Sequence, residues 1–208
     1  MSTRIAKPRS RMRKQPRQAR SRATVEAIIE AGAHVLSTLG WAGFTTNKVA
    51  DAAGVSIGSL YQYFPDKLSL VEAIRRRHFD QVLSVIAESA EGDKPLKRFA
   101  QELVRGMIDA HSVHPTLHQV LLDEVPGDRG SRAAHASFQS RYLDHYTAAV
   151  TQYRKRRKDN ETVARVLSSA VEGVIHNAAR RDMLDAPDLQ KQLVELICAY
   201  VSGAGRSA

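Results

Sequence analysis

Two short helical patterns separated by a tight turn occupy residues 45–67 (TTNKVADAAGVSIGSLYQYFPDK), and no other segment constrains the fold as strongly. Val49 and the alanines after it form the apolar side of the first pattern, and Leu60 lies on that of the second. Gly54 can adopt the positive φ that a sharp turn needs. Pro65 ends the second pattern, because the residue before a proline is disfavoured in helical conformation. The segment predicts a helix-turn-helix, whose second helix can lie in the major groove of DNA.

The outward face of the second helix is expected to carry Ser, Tyr and Gln side chains, a combination that a generic helical corner would seldom present. Thr45 is expected to cap the first helix and Ser56 the second. Gln62 is the side chain expected to read a base, because its amide can pair with N6 and N7 of adenine. Tyr61 and Tyr63 are expected to point outward beside it, although both could instead pack within the domain.

The segment from residue 23 to residue 74 resembles the N-terminal domain of TetR-family transcriptional regulators. The matching features are an amphipathic first helix, Gly40 followed by an aromatic residue, Ala-Gly-Val-Ser at 53–56, and the Leu-Tyr and Tyr-Phe pairs at 60–64. This resemblance implies contacts with DNA bases or phosphates. The residues expected to make them are Arg20, Arg22, Thr45, Thr46, Lys48, Ser56, Gly58, Ser59, Tyr61, Gln62, Tyr63 and Lys67. Ile57 departs from the family pattern, because many relatives carry lysine at this position. Isoleucine can touch a thymine methyl group but cannot bind phosphate.

The formal charge of +9 is concentrated in residues 1–22, which contain nine basic side chains and no acidic one. The remaining chain is neutral, with 22 basic and 22 acidic residues. Because the segment also contains two prolines and few apolar residues, it is predicted to be a disordered arm. Its position before the helix-turn-helix favours a clamp on DNA phosphates. A solubilising tail and an organelle transit peptide are the alternatives.

The sequence contains no segment of membrane-spanning length and no apolar run typical of a secretory signal. Its only cysteine, Cys198, excludes an internal disulfide and is compatible with a reducing compartment. We therefore expect a cytoplasmic protein of bacterial type that is associated with the nucleoid when bound to DNA. Neither a membrane partner nor a cofactor is predicted.

Helical periodicity continues through the rest of the chain, with no strand pattern or repeat. The predicted fold class is all-α, with about nine helices: a three-helix DNA-binding domain and a larger helical domain. The first helix is expected over 23–39 with Gly40 as its stop, and the seventh over 131–157 after a loop at 126–130. The predicted domains are a basic arm at 1–22, a helix-turn-helix domain at 23–67, and an effector-binding and dimerisation domain at 68–205. A long fourth helix from Lys67 is predicted to link the last two.

Two expectations for the second domain follow from the TetR resemblance. The eighth and ninth helices carry wide apolar faces, which one chain could bury alone but which TetR-like proteins pair with their symmetry mates. The residues expected at a homodimer interface are Leu167, Ala170, Val171, Val174, Leu193, Leu196, Ile197 and Tyr200. An effector pocket is expected to combine aromatic walls with polar anchors. Its candidate residues are Phe99, Leu103, Met107, Leu121, Glu124, Phe138, Tyr142, His145, Glu172, Ile175 and His176.

His111, His114 and His118 are spaced so that one helical face could carry all three, as a metal site would require. Pro115 interrupts that helix, so the histidines are expected to line a helix junction and no metal site is predicted. No phosphate-binding glycine loop or nucleophile elbow supports an enzyme. The sequence therefore predicts a dimeric repressor that a small molecule releases from a palindromic operator of double-stranded DNA. The alternative is an architectural or constitutive DNA-binding regulator without a small-molecule switch.

Overall fold

A computed structural model describes residues 19–126, 129–154 and 158–203 of the chain. Every regular element in these ranges is helical, which confirms the predicted all-α class and the nine helices. The helices are α1 (Ala19–Gly43), α2 (Thr46–Ala52), α3 (Ile57–Tyr63), α4 (Lys67–Ala90), α5 (Leu96–Ser112), α6 (Leu117–Gln119), α7 (Arg129–Arg154), α8 (Asn160–Arg180) and α9 (Pro187–Ser202). A π-helical turn, Val120–Glu124, directly follows α6. No helix in the described ranges is long and apolar enough to cross a membrane.

The first helix begins earlier than the sequence predicted. Residues 19–22, predicted as the end of a disordered arm, form its first turn, because they contain neither proline nor glycine to stop a helix. The rest of the predicted arm, residues 1–18, lies outside the described residues. Gly40 interrupts α1 as predicted, with φ 62° and ψ −178°, a conformation that essentially only glycine adopts. The helix then resumes and ends at Gly43.

The predicted loop at 126–130 is also shorter than expected at its C-terminal side, since α7 begins at Arg129. Residues 127–128 lie outside the described part of the chain, as do residues 155–157 at the predicted end of the seventh helix. The sequence signal for the loop came from its proline and glycines. Glycine is tolerated within the first turn of a helix when the residues after it are good helix formers, as they are here.

The chain packs as two compact units. Among the described residues, the first contains those up to Arg77 together with those of 120–131, and the second contains His78–Gln119 and those from Arg132 onward. The division falls within α4, ten residues after the boundary predicted at 67–68. The reason is that the first turns of α4 belong to the core of the first unit. A Cβ atom on Gly32 would lie 2.7 Å from Ile74 Cδ1, so this glycine lets α1 and α4 approach closely.

The core of the first unit comes from apolar faces of α1 to α4 with helical spacing. Its fully buried side chains include Ile28, Leu36, Phe44, Leu60, Phe64, Leu70 and Ile74. The second unit has its own core, to which α4, α5, α7, α8 and α9 contribute. Phe79 stacks on Phe138 in that core, with ring centroids 4.0 Å apart. Each unit therefore encloses a separate set of apolar side chains, as two domains do.

Candidate DNA-binding surface and effector domain

The turn between α2 and α3 has the geometry that its sequence predicts. Gly54 adopts a φ of 65°. Thr45 Oγ1 accepts a hydrogen bond from Lys48 N (3.3 Å) at the start of α2, and Ser56 Oγ accepts one from Ser59 N (3.1 Å) at the start of α3. Both predicted caps are therefore confirmed, and they fix the residues at which the two short helices begin.

The exposed side of α3 combines polar and apolar groups. Gln62, Tyr61 and Ile57 are exposed, and Gly58 leaves the backbone of the first turn accessible. The Tyr61 hydroxyl lies 3.0 Å from Thr46 Oγ1, which ties the recognition surface of α3 to the first turn of α2. The surface thus presents an amide for hydrogen bonding beside aromatic and aliphatic groups, a combination suited to base edges in a groove.

Tyr63 does not point outward as the sequence predicted. Only 8% of the residue is exposed, because position 63 lies on the same side of α3 as the core residues Leu60 and Phe64. A helix turns by 100° per residue, so residues 60, 63 and 64 share one face while 61 and 62 lie on the opposite side. The alternative that Tyr63 packs within the domain agrees with this burial.

Two lysines predicted to face phosphates are held by the first unit itself. Lys67 Nζ donates a hydrogen bond to the carbonyl oxygen of Trp41 (2.9 Å) and lies 3.4 Å from the centroid of the indole ring, a cation–π contact. Desolvation lowers the pKa of the Lys67 amine. Lys48 Nζ donates to the carbonyl oxygen of Gly43 (3.0 Å). These contacts place both amines beside the end of α1. Arg20 and Arg22 are exposed on the first turn of α1.

Two residues predicted for the effector pocket lie in the first unit. The backbone N–H of Trp41 donates to Glu124 Oε2 (2.9 Å), and the carbonyl oxygen of Leu121 accepts from Arg75 Nη2 (3.2 Å). A Cβ atom at position 40 would lie 2.8 Å from that same carboxylate, so Gly40 leaves room for it. The π-helical turn is therefore part of the first unit, far along the chain from α1. Leu121 and Glu124 therefore pack in the first unit, apart from the other pocket candidates.

The other apolar pocket candidates lie in the second unit and are closely packed there. Phe99, Leu103, Met107, Phe138, Tyr142 and Ile175 are all buried in its core. The rings of Tyr142 and Tyr146 lie 5.0 Å apart, and burial raises the pKa of both hydroxyls well above the ordinary value. His145, another predicted anchor, is half-buried. The core thus combines aromatic walls with neutral, buried polar groups.

The histidines of the second unit form a cluster that differs from the predicted set. Nε2 of His78 lies 2.9 Å from Nδ1 of His118, and Nε2 of His176 lies 3.3 Å from Nε2 of His111. Glu172 completes the cluster, with Oε1 3.6 Å from Nε2 of His118. Two overlapping trios, His78–His111–His118 and His118–Glu172–His176, each have ligand atoms within 4.8 Å of one another. His114 belongs to neither trio.

The sequence signal that could have found His78 is its place on the apolar face of α4. It lies four residues after the buried Ile74 and four before the buried Val82, so helical spacing directs it into a core. A histidine at such a position needs buried polar partners. The i, i+3, i+7 spacing of His111, His114 and His118 does not indicate this residue, because His78 lies on a different helix.

An apolar face remains exposed on α8 and α9. Val166, Leu196 and Tyr200 are 48%, 46% and 38% exposed, although each is a large apolar or aromatic side chain. Together with Ala170, Leu167 and other residues they line a groove of about 540 Å³. Within the predicted interface set, Leu167, Val171, Leu193 and Ile197 are buried in the core of their own unit, whereas Ala170, Val174, Leu196 and Tyr200 are exposed or half-buried.

Two segments of the chain match families of known bacterial regulators. Residues 28–74 match the family described as "Bacterial regulatory proteins, tetR family". Residues 95–200, just over half of the chain, match the family described as "Tetracyclin repressor-like, C-terminal domain". The chain belongs to the TetR family. Its helix-turn-helix lies within the matched N-terminal segment.

Curated relatives agree with this assignment. The HTH-type transcriptional repressor KstR of Rhodococcus jostii is 27% identical over 141 residues, which cover 68% of this chain and 66% of the relative. AcnR of Corynebacterium diphtheriae, also an HTH-type transcriptional repressor, is 22% identical over 151 residues, or 73% of this chain and 72% of the relative. The matched region thus spans slightly less than two thirds of the length of the KstR protein.

Solved TetR-like structures share the fold along most of the chain. A TetR-like transcriptional regulator from Rhodococcus sp. RHA1 superposes with a TM-score of 0.68 at 18% identity, over 93% of this chain and all of that one. The SmeT–triclosan complex superposes with a TM-score of 0.68 at 20% identity, over 85% of this chain and 90% of that one. SmeT is the repressor of a multidrug efflux pump of Stenotrophomonas maltophilia. At these identities the likeness concerns the fold.

Proposed function

We propose that this TetR-family chain is a homodimeric repressor that binds a palindromic operator and leaves it when a small molecule binds the second unit. The observation that carries the proposal is the exposed face of α3. Gln62 lies on that face, directly before the buried Tyr63, in a helix whose N-terminus is capped by Ser56. Two such helices related by a two-fold axis would read two half-sites of one operator. Transcriptional repressors among the curated relatives support the same role. A protein of this kind acts in the cytoplasm, on the nucleoid.

We expect Gln62→Ala to weaken operator binding by ~1–3 kcal/mol, or roughly 5- to 150-fold, and to relax specificity at the base pair that Gln62 reads. The lost amide accounts for both effects, because random DNA does not offer the matched partner. Fluorescence anisotropy with a selected operator and with random duplex, at one salt concentration, measures the two affinities. Equal losses on both duplexes would exclude the base-reading role.

We compare Gln62→Ala with Lys67→Ala, a change at the last residue of the helix-turn-helix segment 45–67. Its amine is proposed to lie near phosphates, which are alike in every sequence, so the variant should weaken binding to operator and random DNA by the same factor. The variant also removes the contacts with Trp41, so its folding is checked by circular dichroism before binding is measured. A loss confined to the operator would assign Lys67 a role in sequence reading.

The apolar face of α8 and α9 supports dimerisation through these helices. Ala170 and Gly173 lie on α8 near the exposed Val166, and a Cβ atom added at Gly173 would meet no described atom within 4 Å. Small residues at such positions allow two helices to approach closely. Leu196 and Tyr200 on α9 extend the same face. A second copy of the chain, related by a two-fold axis, would cover the apolar surface of both protomers.

The proposed effector site uses the candidates that lie in the second unit. They are Phe99, Leu103, Met107, Phe138, Tyr142, His145, Glu172, Ile175 and His176. Aromatic walls next to a few polar groups are the usual composition of a small-molecule site, and the structural neighbour SmeT is known as a complex with triclosan. Helix α4 runs from the first unit into the second, so it is the proposed route by which an effector changes DNA affinity.

An effector must bind the DNA-free state more tightly than the DNA-bound state, because equal affinities would shift nothing. The test is an operator-shift assay with a panel of apolar and amphipathic small molecules, each also measured for binding to the free protein. We expect at least one compound to bind the protein and lower operator affinity by ~5- to 150-fold, the usual range of allosteric coupling. Binding that is equally strong for all DNA sequences, with a steep salt dependence, would instead identify an architectural DNA-binding protein.

A further inference from the structure

The histidine cluster of the second unit unites side chains from four helices. His78 lies on α4, His111 on α5, His118 on α6, and Glu172 and His176 on α8. The first three are almost completely buried, and all five meet within hydrogen-bonding or near-bonding distance. Polar side chains are costly to bury in such numbers unless they are paired or bind a common partner. Most of these nitrogens have hydrogen-bond partners, but Nε2 of His118 is buried without one among the described residues, so packing alone does not explain the cluster.

The distances suit a metal ion with tetrahedral coordination. Zinc binds imidazole nitrogens at about 2.0–2.1 Å, which places two nitrogens of one tetrahedron about 3.3 Å apart. Nε2 of His111 and Nε2 of His176 are 3.3 Å apart. The ligand atoms of His118, Glu172 and His176 lie within 4.8 Å of one another, so small rotations of these side chains can bring them to the same ion.

In two of the histidines, the ring nitrogen that would not bind the metal already has a hydrogen-bond partner, as metal-binding histidines usually do. Nδ1 of His111 lies 2.7 Å from the carbonyl oxygen of Met107. A carbonyl can only accept, so His111 carries its proton on Nδ1 and keeps a lone pair on Nε2. In the same way, Nδ1 of His118 can donate to Nε2 of His78 at 2.9 Å, which leaves its own Nε2 for a metal. Such second partners orient metal-binding histidines and set their tautomer.

The charge and access of the cluster also suit a cation. Glu172 contributes a carboxylate, and with it negative charge, and its Oε1 lies 3.6 Å from Nε2 of His118. Its side chain is 27% exposed, which leaves a route for an ion from solvent.

We propose that His111, His118, Glu172 and His176 bind one divalent transition-metal ion, while His78 contacts Nδ1 of His118 from the other side. Three imidazoles with one carboxylate favour Zn²⁺ and related ions such as Co²⁺ and Ni²⁺ over Mg²⁺ or Ca²⁺, which prefer oxygen ligands. The proposal goes beyond the proposed function, since metal binding requires neither an operator nor a dimer. It replaces the sequence expectation of no metal site and excludes His114, which that expectation had grouped with His111 and His118.

The experiment uses the full chain, purified without a histidine tag, stripped with a chelator and dialysed. Zinc retained after reloading and dialysis is measured by mass spectrometry, and its affinity by competition with a chromogenic chelator. We expect one equivalent per chain, with a dissociation constant below micromolar. Loading with Co²⁺ should give the visible absorption of a tetrahedral site. No retained zinc and no cobalt band would overturn the proposal and leave a hydrogen-bonded cluster of neutral histidines.

Variants distinguish the proposed ligands from their neighbours. His176→Gln and Glu172→Gln, both at half-buried positions, should each weaken zinc binding by more than ~100-fold, since loss of an outer-shell partner alone costs about 10- to 100-fold. His114→Gln is the matched control and should bind zinc like the original chain. Circular dichroism and thermal unfolding show whether each variant is folded. Unchanged affinity in folded His176→Gln and Glu172→Gln proteins would contradict the assignment, whatever the outcome of the DNA and effector assays.

Discussion

Leu196→Glu is expected to convert the proposed dimer into a monomer and to reduce operator affinity by more than ~100-fold. Leu196 is the exposed apolar side chain of α9 that lines the groove next to Ala170 and Tyr200. A carboxylate buried there without a partner would cost several kcal/mol, and two-fold symmetry places the change in the interface twice. A total of ~3 kcal/mol already corresponds to about 100-fold in the dimer dissociation constant. A monomer would then bind a single half-site.

Met183→Glu is the matched control, because Met183 has nearly the same exposure (44%) and lies between α8 and α9 without lining the groove. The same change of charge there should leave the oligomeric state unaltered. Sedimentation velocity over a range of concentrations gives the dimer dissociation constant, and fluorescence anisotropy gives the operator affinity. If Leu196→Glu remains a dimer at concentrations where the original chain does, the α8–α9 face is not the interface.

Local sequence signals predicted the helix-turn-helix well. Thr45 and Ser56 cap helices through hydrogen bonds to residues three positions later, and Gly54 has the positive φ of a tight turn. Such features depend on neighbours along the chain, so residue type and spacing are enough to recognise them. The all-α class follows in the same way from helical periodicity, which is itself a local property.

Contacts between distant residues could not be predicted in the same way. Glu124 accepts a hydrogen bond from a backbone N–H 83 positions earlier, and His78 meets a histidine 40 positions later. No local pattern encodes either pairing, because each depends on how helices pack in three dimensions. The error for Tyr63 has a different cause: helical spacing places position 63 on the same face as Leu60 and Phe64, and the outward prediction departed from that spacing.

Burial likewise decides how much stability is lost when one partner of an ion pair in the first unit is removed, and the sequence alone does not show which pairs are buried. Arg75 and Arg77 are two residues apart on α4, and each has a guanidinium nitrogen 2.6 Å from a glutamate oxygen. The side chain of Arg75 is 5% exposed and that of Arg77 is 31% exposed. The two pairs therefore have the same contact distance in very different surroundings, which makes them a natural comparison.

We expect Arg75→Met to destabilise the first unit by ~3–5 kcal/mol, because it leaves the Glu72 carboxylate nearly buried without its partner. The variant also removes the hydrogen bond to the carbonyl oxygen of Leu121, which ties the π-helical turn to α4. Arg77→Met should cost only ~0–1 kcal/mol, since its partners Glu26 and Glu30 stay solvated when the guanidinium is lost. Unfolding in urea, followed by tryptophan fluorescence, measures the difference.

Trp41 is the only tryptophan of the chain and packs against Lys67 in the first unit, so its fluorescence reports the unfolding of that unit. Replacing both partners, as Glu72→Leu with Arg75→Met, should recover most of the lost stability, because the uncompensated charge is then absent. Recovery would identify the buried carboxylate as the cause of the destabilisation in Arg75→Met. If Arg75→Met and Arg77→Met lose equal stability, burial does not distinguish these two ion pairs, and the anchoring of the π-helical turn by Arg75 contributes little.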